Sequence, residues 1–135
     1  MKESFLKMLI SGNYSEADEL VKDMNISELG TFLIDIICKE KDYFPEYTYL
    51  NYKMKNASES ELYELHIFAC SMLITFFNNA SGVYSSALYH AKSALKLKPN
   101  SRKALEMLLI LAKDKTLLLS KDEIKEYTER LAKIK

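Results

Sequence analysis

Gly82-Val83-Tyr84-Ser85-Ser86-Ala87 repeats a phrase met earlier as Gly12-Asn13-Tyr14-Ser15-Glu16-Ala17. Gly, Tyr, Ser and Ala coincide in register, and the copies begin 70 residues apart. That spacing is close to two periods of a helix–turn–helix repeat of roughly 34 residues. One such hairpin cannot bury its apolar face alone, so a chain that repeats it is expected to stack several.

Outward from Gly82, Ala87, Ala91, Ala94 and Leu95 share one helical face up to Pro99, which stops the helix because it has no N–H to donate. Ser101 opens the next helix, with Ala104, Leu105, Leu108 and Leu111 on its inner stripe. Leu117 to Leu119 reads as a short apolar connection. Ser120 with Glu123 has the spacing of a capping box before a last helix striped by Ile124, Tyr127, Leu131 and Ile134. Glu126–Arg130 and Glu129–Lys133 are spaced for ion pairs along it. Upstream, Ser58 or Ser60 is expected to start a helix running to about Asn79, apolar on nearly every side between Leu62 and Phe77, as befits a central element.

Outward from Gly12, a short helix carrying Phe5, Leu6, Leu9 and Ile10 ends at the glycine, and Ser15 is expected to cap the next. Ser27 is the expected cap of a third helix striped by Leu29, Phe32, Leu33, Ile36 and Ile37, and Lys39 to Asp42 its solvated end. Pro45 suits the first turn of a fourth helix. Eight helices with short connections predict an all-α fold: four antiparallel hairpins stacked as a short α-solenoid in a single domain over residues 1–135.

Gly82 to Ala87, continued by Ala91, Ala94, Leu97 and Pro99, resembles the second helix of a tetratricopeptide repeat, and Gly12 to Ala17 matches the same turn and helix start. The resemblance covers about a third of the chain. At the first helix of the third hairpin the chain departs from it, with Ser71, Ile74, Thr75 and Asn78 where large aromatic and small residues are expected. The resemblance implies a concave face lined by first helices, here Phe32, Ile36, Met72, Phe76, Asn79, Glu106 and Lys113, and a role in binding other proteins.

Lys/Arg and Asp/Glu number 19 each, but residues 1–42 sum to −4 and residues 83–135 to +6. An acidic end and a basic end can steer an oppositely polarised partner. Cys38 and Cys70 lie in apolar stretches without a C-x-x-C, which reads as two buried thiols in a reducing compartment. His66 and His90 stand 24 residues apart without metal-ligand spacing, so each reads as a packed core residue. Three isolated glycines make no phosphate loop, and no G-x-S-x-G occurs. Neither catalysis, a metal nor a cofactor is expected. Lys2-Glu3-Ser4 leads into a short amphipathic run, and Ile67 to Phe77 is too short to span a bilayer, so a cytoplasmic protein is the expectation.

Two surfaces stand out. Tyr43, Tyr47, Tyr49 and Tyr52 offer area with a polar handle, and Phe32, Met72, Phe76 and Asn79 join them as expected partner-binding residues. Lys92, Lys96, Lys98, Arg102 and Lys103 form a basic patch around Pro99. With no interleaved aromatic except Tyr89, that patch suits a solvated face or an acidic protein partner better than a nucleic acid. The expected function is a non-enzymatic protein-interaction module, most concretely an immunity protein that masks the basic surface of a toxin. The alternatives are a peptide-binding chaperone or adaptor, and, in another class, an RNA- or DNA-binding accessory protein.

Overall fold

A computed structural model of the chain describes residues 1–40, 44–76, 82–114 and 119–134. Those residues form an all-α fold of eight helices: α1 (Lys2–Ile10), α2 (Tyr14–Leu20), α3 (Ile26–Glu40), α4 (Phe44–Met54), α5 (Glu59–Phe76), α6 (Val83–Leu97), α7 (Arg102–Leu111) and α8 (Lys121–Ala132). Backbone packing divides them into two compact units, Met1–Ser58 and Glu59–Lys135. Tyr43, Asn79, Lys41, Asp42 and the apolar connection from Leu117 lie outside the described residues, as does the expected end of the fifth helix.

Both copies of the phrase turn at a left-handed glycine into a helix, which begins one residue later after Gly12 than after Gly82. Gly12 and Gly82 both take the left-handed conformation, at φ 78° and 77°. A helix starts within two residues of each glycine. In both copies Tyr is half-buried, Ser is exposed and Ala is fully buried. At Gly12 the cause is a complete C-terminal motif. The Gly12 amide donates to the Leu9 carbonyl at 3.1 Å and the Asn13 amide to Met8 at 2.8 Å, satisfying two end carbonyls of α1. A Cβ would strain this backbone, so glycine is required.

Capping explains most other boundaries. Ser101 accepts from the Ala104 amide, and Ser120 with Glu123 completes a capping box. Two expected caps move. Helix α2 begins at Tyr14 behind Asn13, so Ser15 lies inside it. Helix α3 is capped by Asn25 instead of Ser27. The Asn25 side chain accepts from the Glu28 amide at 2.8 Å, and the Glu28 carboxylate accepts from the Asn25 amide at 3.1 Å. Asn25 is the residue three before a glutamate, the reciprocal spacing the motif needs.

In unit 1, α1 packs on α2 across the Gly12 turn, and α4 packs on α1. Thus α1, rather than α3, is the closest backbone neighbour of α4. Phe5, fully buried, meets Phe32 of α3 and Tyr49 of α4 edge-on at 5.1 and 5.3 Å between centroids. Edge-to-face pairs add about 0.5–1.5 kcal/mol beyond burial alone.

Unit 2 is built differently. Helices α5, α6, α7 and α8 each pack on the next, and α7 also touches α5. Ala87, Ala91, Ala94 and Ala104 are all 0% exposed. Their small side chains let the backbones of neighbouring helices approach closely, and Leu65, Leu73, Leu105, Leu108 and Leu111 fill the layers between.

Candidate docking surfaces

Helices α1 and α3 of unit 1 enclose a cleft of about 660 Å³. Leu6, Phe32 and Ile36 give it an apolar floor, and Lys2, Glu3, Lys39 and Glu40 a charged rim. Phe5 pins Phe32 from behind, and Lys2 bridges to Asp35 at 3.2 Å. Volume and make-up match a site for a few apolar side chains oriented by polar neighbours. Phe32 and Ile36 were expected on a concave face, and both line this cleft. At 7% and 3% exposed, Phe32 and Ile36 offer only an edge each, and half-buried Leu6 gives most of the apolar floor.

The other expected contact residues fare unequally. Tyr49 and Met72, at 0% and 2% exposed, are core side chains and present no contact surface, which corrects that expectation. Tyr47, Tyr52 and Phe76 are half-buried. The Tyr49 hydroxyl donates to Asp18 at 2.7 Å, and Lys53 donates to the same carboxylate oxygen at 2.7 Å. Burial alone would raise the Asp18 pKa, but the Lys53 and Tyr49 hydrogen bonds outweigh it and hold the carboxyl below its usual range. Burial, reinforced by the adjacent Asp18 carboxylate, pushes the Tyr49 phenol far up. Tyr14 leans on Tyr52 at 5.4 Å and shares a 2.8 Å hydrogen bond with Thr48. The tyrosines of α4 therefore clamp it to the first hairpin, because a phenol fills apolar space and still reaches a polar partner at its tip.

The basic patch folds around Pro99 into two clefts that share that proline. One, of about 530 Å³, is lined by Tyr63, Leu97, Asn100, Ser101 and three cations, Lys98, Arg102 and Lys103. The other, of about 370 Å³, carries Lys92, Lys96, Arg130 and Glu126. The five expected patch residues are exposed. Lys92 is bound to Glu123 at 2.9 Å, a hydrogen bond that raises the lysine pKa and lowers that of the glutamate. Arg102 faces Glu106 at 3.5 Å. Arg130 donates to the Pro99 carbonyl at 2.7 Å, and neither expected ion pair along α8 forms among the described residues. A backbone carbonyl already fixed in position competes well against an exposed glutamate that must order its side chain to pair.

No family model matches the chain, and no curated protein or solved structure does either.

One constellation escaped the sequence reading. His66 and His90, 5% and 0% exposed, meet in unit 2 with their Nδ1 atoms 2.9 Å apart. One ring must donate and the other accept, so at least one imidazole stays neutral. Burial lowers both pKa values, with His90 pushed down to about 4 and the neighbouring His66 adding to the effect. The signal was available: the midpoint of the two positions falls in the α5–α6 connection, so an antiparallel hairpin brings them level.

Among the described residues no three His, Cys, Asp or Glu side chains group to hold a metal ion. Burial raises the Cys70 thiol to about 12, so it is protonated and unreactive near neutral pH. Cys38, expected to be buried, is exposed on α3. Ile36 and Ile37 take the inner stripe there, and the next residue turns outward. No helix among the described residues is long and apolar enough to cross a membrane.

Proposed function

We propose that the chain is a non-enzymatic protein-interaction module whose α1–α3 cleft takes apolar side chains from a segment of a partner protein. The observation that carries this reading is the apolar floor of Leu6, Phe32 and Ile36 within a charged rim, with Phe5 packed edge-on against Phe32. Partner chemistry follows from charge. Residues 1–58 carry ten Asp/Glu against seven Lys, a net of −3, so the segment carries basic residues flanking its apolar anchors. An inhibitor that covers the cationic surface of a toxin is the most concrete form of this reading, and a peptide adaptor is its alternative.

Leu6 is half-buried at the cleft and Ile10 is exposed outside it. The test compares full-length wild type, Leu6→Asp and Ile10→Asp as baits in native lysate. A discrete protein held by wild type and Ile10→Asp but lost with Leu6→Asp supports the cleft. Equal retention by all three overturns it. Co-expression with the captured protein separates the two forms: relief of growth arrest marks the inhibitor, and no toxicity to relieve marks the adaptor.

A further inference from the structure

We infer that the larger cleft at Pro99 is a second docking site, for an acidic peptide segment. This deepens the interaction-module reading and rests on it in taking the partner to be a protein. The cleft gathers Lys98, Arg102 and Lys103, and no carboxylate lines it. In a chain with equal numbers of acidic and basic residues, three cations around one concavity without an acid are a concentrated positive field. Among the described residues, Lys98 and Lys103 have no carboxylate within ion-pair distance, and only Arg102 has one, Glu106 at 3.5 Å.

The walls are fixed before any ligand arrives. Tyr63 of α5 and Ser101 at the start of α7 share a 2.6 Å hydrogen bond. Arg130 of α8 holds the Pro99 carbonyl from the far side of the turn. A cleft braced from two helices spends little ordering entropy on binding.

Two observations favour an acidic peptide over a nucleic acid. The Lys98 ammonium sits 4.2 Å from the centroid of the Tyr63 ring, so the one aromatic in the cleft is covered by its own cation and not open to a stacking base. Beyond Pro99 the cationic surface is interrupted by Glu126, which breaks any extended phosphate track. Two or three carboxylates on an extended segment match the charge that remains.

The test uses the full chain and a fluorescein-labelled hexaglutamate peptide at low ionic strength, read by anisotropy. Lys98→Gln/Lys103→Gln is expected to weaken binding about five- to tenfold, the scale of two exposed charge pairs. Lys121→Gln/Lys125→Gln removes the same charge from exposed positions of α8 that line neither cleft, and is expected to change it less than about twofold. Absence of wild-type binding, or equal weakening by both pairs, overturns the proposal. So does tighter binding of oligothymidylate with the same dependence on Lys98 and Lys103. The peptide assay reads Lys98 and Lys103 and the bait comparison reads Leu6, so this test and that of the α1–α3 cleft fail separately.

Discussion

The two units each contain a copy of the six-residue phrase, alike at four positions, and hold together by different means. In unit 1 the helices are joined by large rings with polar tips: Phe5 between Phe32 and Tyr49, and Tyr49 anchored on Asp18. In unit 2 they are joined by the absence of bulk, with alanines at the crossings and one buried imidazole pair. The phrase therefore specifies a turn and a helix start, and the side chains beyond it decide which helices become neighbours. Charge divides the same way: residues 59–135 carry twelve Lys/Arg against nine Asp/Glu, the reverse of the first unit.

The contrast can be broken most forcefully at Phe5. Phe5→Ala removes a ring with no exposed surface and is expected to cost about 3–5 kcal/mol, with amides of α1–α4 losing exchange protection first. Uniform loss across α1–α8 would contradict the division.

Acid should act on unit 2. The His66 and His90 pKa values are lowered in the fold, His90 to about 4, so the unfolded chain takes up protons first as pH falls. Their contribution is complete above about pH 6.5 and is lost between there and about pH 4, on the order of 3 kcal/mol for His90. Denaturant melts across this window, compared with a His66→Phe/His90→Leu variant, isolate the effect. An equally steep decline in the variant would assign it to carboxylates.

A polar tip and a tight crossing should then be separable. Tyr49→Phe keeps the ring and deletes the bond to Asp18, for an expected loss of about 1.5–3 kcal/mol. The Asp18 pKa should rise, measurable by NMR titration, because one of the hydrogen bonds that lower it is gone. Ala91→Leu should cost about 1–3 kcal/mol by overpacking a fully buried site in unit 2. Smallest of all, Lys92→Gln breaks an exposed pair with Glu123 and should cost under about 1 kcal/mol.

Local signals made much of this fold legible. Gly12, Ser101, Ser120 with Glu123, and Pro45 act within a few residues of themselves, and each marks the boundary it was expected to mark. Asn25 was equally readable, since Glu28 stands three residues on, but Ser27 offered a competing cap. Cys38 needed strict attention to helical phase. What could not be read locally was neighbour choice. Asp18 meets Tyr49 only because α4 packs on the first hairpin, and that depends on how large rings fit together. The same applies to the α1–α3 cleft, where Phe32 was expected and Leu6 was not.

The docking role proposed for that cleft is tested most directly by placing a photo-crosslinking amino acid at position 6 or position 10 of the full chain in living cells. Position 6 lines the cleft and position 10, although more exposed, does not. A discrete crosslinked protein from position 6 and none from position 10 is the predicted result. Crosslinks of equal yield from both, or from position 10 alone, would contradict it.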